Sequence, residues 1–356
     1  MANGIVHTPL TIGAIVGPEV RAHQARWAEF VAGLPPRPVG CDPRWLLVMA
    51  DGLGHVPYCL EARRENGAIS GLLPLSLVRG PLFGRFLVSL PYVSTCGILS
   101  ANQTAATALV DKAIDLADAL RVKHLELRME KRIGHDSFPP PATHKVLMRR
   151  PLPRTTEALW KELDSKVRNQ IRKGDKQGFE ISWGGEDLLS RFYHVFSKNM
   201  RDLGTPVFGK PFFASILRHF AGSVEICVVS LHARPIATAL LIHGRGITEV
   251  PSASALREFN STNANMFLYW QLLKRAVERS QCTFDFGRST AGSSTERFKA
   301  QWGAESSPAV WECYYRRRRS NLQKESSSFR LLSRAWRCLP LRVAELIGPA
   351  IVRGIP

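Results

Sequence analysis

Hydrophobic and polar positions change period repeatedly along the chain, and each change marks an element. "QTAATALVDKAIDLADAL" carries Ala106, Leu109, Ala113, Leu116 and Leu120 at helical spacing, one apolar side of an amphipathic helix. "KHLELRM" follows as a strand. Upstream, "VPYCLEARRENGAISGLLPLSLV" alternates about Asn66-Gly67, a pair that suits the positive φ angles of a tight hairpin turn, and "FLVSLPYV" is a further strand. Pro18 opens a helix-like stretch through Phe30, and Asp42 with Pro43 starts another helix in "DPRWLLVMADGLG".

The same order returns about 160 residues later. "VEICVVSLHARPIATALLIHG" predicts a hairpin around His232–Pro235, "GITEVPSAS" a strand, "NANMFLYWQLLKRAVERS" a helix and "CTFDFGRS" a strand. Pro251 stands where Pro91 stood, and "FDFG" where "LELR" stood. Hairpin, strand, helix, strand is the core order of an acetyltransferase-like (GNAT) fold. The expected class is therefore α/β (α+β), with tandem GNAT-like domains on mixed sheets. The expected division is 1–150, 151–317 and a basic tail at 318–356, with the domains joined near the Pro-rich "PPPATHKVLMRRPLPR".

Composition sharpens this picture in two places. The net charge of +18 points to an anionic partner, nucleic acid, a phosphorylated carrier or an acidic membrane surface. The seven cysteines are scattered without a C-x-x-C pair, which predicts neither zinc nor a disulfide framework. "MANGIVHTPLTIGAIVG" lacks the basic start of a signal peptide, and no apolar run reaches the roughly 20 residues of a membrane span. The expected location is cytoplasmic, with peripheral attachment to the inner face of the membrane through the tail.

Four ordered motifs then stand out across Asn199–Gly303: "NMRDLGTPVFGKPFF", "NANMFLYWQLLKRA", "FDFGRS" and "FKAQWG". With the basic stretch "LWKELDSKVRNQIRKGDKQG" before them, they resemble FemAB-related proteins of the GNAT-like acyltransferase superfamily. The resemblance is nearest to the branch found with exosortase/PEP-CTERM and exopolysaccharide systems. It is stronger in the second domain than in the first. It implies acyl or aminoacyl transfer to an amine or hydroxyl of a sugar- or lipid-linked envelope precursor, from acyl-coenzyme A or aminoacyl-transfer RNA. No Cys, His and Asp set has metal-ligand spacing, so no metal is expected. The chain departs from the family pattern at Thr290 and Ser293–Thr295, where Lys and Gly-Thr-Gly are more usual.

Within these motifs, strand alternation puts Phe284 and Phe286 on one face and Asp285 on the other, near the strand end where an α/β site opens. A carboxylate there can take the acceptor's proton, and Arg288 and Lys299 can hold the developing oxyanion or a phosphate. Asp285, Arg288 and Lys299 are thus the expected catalytic set, unless Asp285 and Arg288 form a structural ion pair. The resemblance implies that Phe298 and Lys299 position the donor. Asn199, Arg201 and Asp202, in the last turn of a helix stopped by Gly204 and Pro206, are assigned with Thr205 to the acceptor. Asn265 and Tyr269 share a helix face toward the cleft, and Trp302 stands as a further substrate contact or a core residue. Arg168 and Arg172 form part of a basic row suited to transfer RNA or a pyrophosphate-linked carrier.

Other classes fit less well. "DFG" at Asp285–Gly287 has no H-R-D loop or glycine-rich strand lysine to make a kinase. The repeated aromatic-and-basic strands of RNA-recognition folds are missing. A non-catalytic protein of the same fold that recruits polysaccharide machinery is the main alternative. In the tail, Phe329, Leu332, Trp336 and Leu339 share one helix face and Arg330, Arg334 and Arg337 another. With Arg316–Arg319 and a second short helix before Pro349, this predicts either an anionic membrane contact or packing on the protein's own domains.

Overall fold

The computed structural model describes residues 10–81, 83–141, 143–316 and 327–356. The first half runs β1 (Leu10–Val16), α1 (Gln24–Ala32), α2 (Trp45–Leu53), β2 (Val56–Arg64), β3 (Ile69–Gly80), β4 (Gly84–Val88), β5 (Leu99–Ser100), α3 (Gln103–Ala119) and β6 (His124–Met129). Then come β7 (Lys145–Pro151), α4 (Thr156–Glu162), α5 (Ser165–Asp175), β8 (Glu180–Gly184), α6 (Leu189–Leu203), α7 (Lys210–His219), β9 (Val224–Leu231), β10 (Arg234–His243) and β11 (Ile247–Ala255). The chain continues with α8 (Ala264–Glu278), β12 (Thr283–Thr290), α9 (Ser294–Ala300), β13 (Glu305–Pro308), β14 (Val310–Tyr315), α10 (Ser327–Arg337) and α11 (Leu341–Val352).

The strands form two seven-stranded mixed sheets. One is ordered β1-β2-β3-β4-β6-β14 with β5 beside β3, the other β13-β7-β12-β11-β10-β9-β8. Each has one parallel pair, β4 with β6 and β11 with β12. Glu126 and Asp285 occupy the corresponding last paired positions, which is the duplication expected from element order.

The sheets do not divide at residue 150 or 317. β7 straddles 150 and pairs with β12, while β14 returns from the second half to pair with β6. Each sheet thus receives an antiparallel strand at the same place, but from the other half of the sequence. Composition gives no sign of this exchange, because both open edges offer the same unpaired N–H and C=O groups.

A shared core binds the halves. Trp45, Leu46 and Met49 of α2 pack with Phe212, Phe213 and Phe220 of and beyond α7. Gly52 permits the approach, since a Cβ there would stand 3.1 Å from Phe212. A second core under the second sheet gathers Leu163, Val167 and Ile171 against Phe267, Leu272 and Phe284. The basic stretch expected as one helix is two, because Leu163 is extended and the Asp164 carboxylate caps the Lys166 N–H at 2.7 Å.

The tail packs on α6. Trp336 and Ala344 are buried, Arg201 Nη1 donates to the Leu339 carbonyl at 2.9 Å, and Ser197 Oγ donates to Glu345 at 2.6 Å. α11 runs through Pro349 to Val352 rather than stopping before it. Arg317–Arg319, Ser326 and the side chains of Phe329 and Arg330 lie outside the described residues. Among the described residues no helix is long and apolar enough to cross a membrane.

Candidate functional site

β11 and β12 pair at only three positions, ending with Glu249 opposite Asp285. Beyond them the strands part. β12 also slips its register against β7 between Asp285 and Arg288, with Gly287 at φ 71°. A side chain with a Cβ rarely holds that φ, so glycine makes the bulge that redirects Arg288. The opening is a cleft of about 340 Å³, walled by Glu249–Ser254 on one side and Phe286–Arg288 on the other. Tyr269 and Lys299 close one end, and Tyr92 and Ser94 reach in from the first half.

The corresponding opening between β4 and β6 is filled by its own chain. Cys96 bridges to Arg128, and the buried Arg128 donates to the Val93 carbonyl at 3.1 Å and to Glu126 at 2.8 Å. Leu90 and Tyr92 turn this segment with φ of 60° and 74°. Tyr92 then shares a 2.8 Å hydrogen bond with Ser252 in the cleft wall.

The polar groups of the cleft are poorly solvated. Glu249 is 5% exposed, and burial followed by the nearby Asp285 carboxylate pushes its carboxyl up to about 8. Lys299 Nζ donates to the carbonyls of Arg288 at 2.8 Å and Gly287 at 3.3 Å. Burial brings its ammonium down to about 8. Arg288 donates to the Val93 carbonyl at 3.3 Å and lies over the Trp311 ring at 5.4 Å. Burial and the neighbouring Arg128 bring it down to about 10.

Arg288 and Lys299 therefore line one cleft, as the sequence reading expects. Asp285 does not: it is 2% exposed and its carboxylate accepts from Arg149 Nε at 2.6 Å and from the Gly287 N–H at 2.7 Å. Its ion-pair partner is Arg149 of β7, not Arg288, and the Asp285 charge raises the Arg149 guanidinium further. The carboxylate that reaches the cleft is Glu249, which sequence reasoning passed over. Its signal was available, since "GITEVPSAS" is the strand set parallel to "FDFGRS" and Glu249 is its one acidic residue.

Tyr269 lines the cleft, with the half-buried Phe298 edge-on at 4.9 Å and the fully buried Trp302 stacked at 6.0 Å. Trp302 is thus core. Asn199 supports the cleft wall by donating Nδ2 to Ser254 Oγ at 3.1 Å. Arg201 and Asp202 pair with each other at 2.6 Å and hold the tail, and Thr205 is an exposed residue past the helix end. Asn265 lies in the first turn of α8 outside the cleft. Arg168 and Arg172 are on α5, also outside it, where Arg172 lies over Trp160 at 5.4 Å. Among the described residues no group of His, Cys, Asp and Glu is arranged to hold a metal ion.

Two mixed sheets, each parted after its one parallel pair, define a tandem GNAT fold. Residues 161–300 match the family model described as an acetyltransferase (GNAT) domain. Among solved structures, FemX aligns with a TM-score of 0.61 at 15% identity, over 85% of this chain and 97% of FemX. The C-terminal domain of a putative lysylphosphatidylglycerol synthetase from Agrobacterium fabrum aligns with a TM-score of 0.57 at 11% identity, over 83% of this chain and 92% of that one. A tandem GNAT protein from the clavulanic acid biosynthesis pathway aligns with a TM-score of 0.54 at 10% identity, over 88% of this chain and all of its own length. At these identities the likeness is one of fold. No curated protein matches the sequence.

Proposed function

We propose that the chain is an acyl- or aminoacyltransferase of the FemAB-related kind, acting on an amine or hydroxyl of an envelope or exopolysaccharide precursor. The observation that carries this reading is one cleft, at a strand splay, faced by a buried carboxylate and two desolvated cations. Glu249 takes the proton from the attacking amine or hydroxyl as the new bond to the acyl carbon forms. Lys299 and Arg288 hold the carbonyl oxygen as it gains charge, where low solvation strengthens them. The carrier then leaves with the electron pair of the broken bond, as the thiolate of coenzyme A or the 3′-oxygen of transfer RNA, and takes up a proton. A cleft of about 340 Å³ fits the acyl end of either donor. The four ordered motifs across Asn199–Gly303 support the FemAB-related, PEP-CTERM-associated branch and hence the envelope substrate. The test is transfer of a labelled acyl group from each donor to a lipid-linked precursor fraction, with and without Glu249→Gln.

We also propose that the tail rests on an anionic membrane surface, bringing the cleft to a lipid-linked acceptor. The exposed large apolar side chains among the described residues are Leu203, Leu332, Val343, Leu346, Ile347 and Ile355, at the end of α6 and on the tail that covers it. Arg334, Arg337, Arg342 and Arg353 are exposed around them. Each such arginine contributes about 1 kcal/mol near an anionic surface. Own-domain packing accounts for Trp336 but leaves this apolar group without a protein neighbour to cover it.

A further inference from the structure

β14 is the strand that leaves the second half to pair with β6, and it sets Trp311 opposite Arg128. Arg128 lies over the Trp311 ring at 4.5 Å. Arg288, which lines the transfer cleft, lies over the same ring at 5.4 Å. One backbone carbonyl, that of Val93, accepts from both guanidiniums, from Arg128 at 3.1 Å and from Arg288 at 3.3 Å. The exchanged strand thus brings an indole to the place where the first sheet meets the cleft of the second.

Two like charges held close together repel, and burial adds to the cost. Arg128 is compensated, because Glu126 pairs with it at 2.8 Å. Arg288 is not. Asp285 is closed on Arg149, and among the described residues no carboxylate stands at ion-pair distance from Arg288. Its two supports are uncharged, a carbonyl oxygen and the negative face of an aromatic ring. A carboxylate would hold the guanidinium and cancel its charge. The carbonyl and the ring hold it and leave the charge to act in the cleft.

The indole occupies this place at a cost, since its buried Nε1 has no hydrogen-bond partner. A leucine or phenylalanine would fill the same strand position without that orphaned donor, so packing does not explain a tryptophan there.

We propose that Trp311 is a positioning residue of the transfer cleft: its ring, with the Val93 carbonyl, keeps the Arg288 guanidinium turned to the cleft with its charge uncancelled. That role rests on the reading of Arg288 as a cation that acts on the acyl carbonyl. It also gives the strand exchange a consequence, because β14 supplies the support that the second half cannot reach from its own sheet.

The test has two independent readouts on the full chain. The first is the Nε–Hε signal of Arg288 in nitrogen-edited NMR, identified by its loss in Arg288→Met. Trp311→Leu should move this signal away from its ring-shifted position and sharpen it as the side chain gains freedom, while Trp311→Phe, which keeps a ring, should hold it near the parent position. The second is single-turnover transfer from labelled acetyl-coenzyme A or a labelled aminoacyl-transfer RNA pool. Trp311→Leu should slow transfer roughly tenfold, Trp311→Phe should recover most of that loss, and Trp311→Leu should cost nothing further in an Arg288→Met background. Trp311→Met is the second ring-free variant should Trp311→Leu not fold. An unmoved Arg288 signal in a folded ring-free variant would overturn the proposal. So would a transfer loss that Trp311→Leu adds in full to that of Arg288→Met. A displaced signal with transfer indifferent to Arg288→Met would uphold Trp311 as the support of Arg288 and count against the transfer role of Arg288 instead.

Discussion

Glu249 and Asp285 stand directly opposite each other at the last paired position of β11 and β12, both buried, one facing the cleft and the other closed on Arg149. Asp285 accepts from Arg149 and from the Gly287 N–H, while burial and then the nearby Asp285 charge favour the protonated form of Glu249.

The first expectation follows for Glu249. Transfer should rise with pH through about 8 as Glu249 loses its proton and becomes competent as the base. Glu249→Gln should lower kcat on the order of a hundredfold or more and remove that rise. Stability should move the other way. A carboxyl raised from 4.5 to about 8 gives the folded state more bound protons than the unfolded state across that window, so its contribution is lost as pH rises. Glu249→Gln should therefore have a higher Tm than the parent at pH 8 and a similar one near pH 4. A pH–rate profile and a pair of melting curves check both.

Asp285 should behave as a positioning residue. Asp285→Asn leaves the largely buried Arg149 with Glu130 alone, at a cost of about 3 kcal/mol. It also removes the anion beside Glu249, so the midpoint of the pH–rate profile should move to lower pH. Activity well above that midpoint should survive. A loss of all activity at every pH, with Tm unchanged, would instead make Asp285 the base that the sequence reading expected.

Lys299 is held by two carbonyls of the bulged strand, so its ammonium has a fixed address in the cleft. Lys299→Met should lower kcat roughly a hundredfold, the usual loss when one oxyanion donor is removed. Since burial brings Lys299 to about 8, activity should also decline at higher pH as the ammonium is lost. Lys299→Arg should retain cationic character and remove that decline. Steady-state kinetics on the three proteins would show it.

Much of this arrangement is legible in the sequence, and the reasons for the rest are specific. Period two in "FDFGRS" correctly sets Phe284 and Phe286 in the core and Asp285 on the other face. It cannot reveal that Arg149, 136 residues away, arrives on the neighbouring strand to cover that face. Asn66-Gly67 marks the β2–β3 turn, and Gly204 stops α6 at φ 77°. Both are local signals with local causes. The exchange of β7 and β14 is not local, and so the expected boundaries missed it. Arg201 and Asp202 read as an acceptor cluster because nothing near them in sequence shows that Leu339 lies against them.

The tail offers a separate test. Truncation after Tyr315 would uncover the α6 surface on which Trp336 and Ala344 are buried, so substitution is the better probe. Leu332→Glu with Leu346→Glu changes two side chains that are 68% and 78% exposed. The parent should float with anionic liposomes at low salt and release as salt rises. The double variant should stay at the bottom of the gradient with its Tm within about 2 °C of the parent. Equal flotation of both proteins would remove the membrane proposal.

The central claim is that the cleft between β11 and β12 moves an acyl group, and single-turnover transfer tests it most directly. Labelled acetyl-coenzyme A and a mixed pool of labelled aminoacyl-transfer RNA would each be incubated with excess protein and a lipid-linked envelope precursor fraction. The account predicts label in the acceptor from one of the two donors, at a rate at least a hundredfold lower in Glu249→Gln at pH 8 while the variant remains folded. Donor and precursor that bind without any transfer, or transfer that proceeds undiminished in Glu249→Gln and Lys299→Met, would contradict it and favour a binding protein built on the same fold.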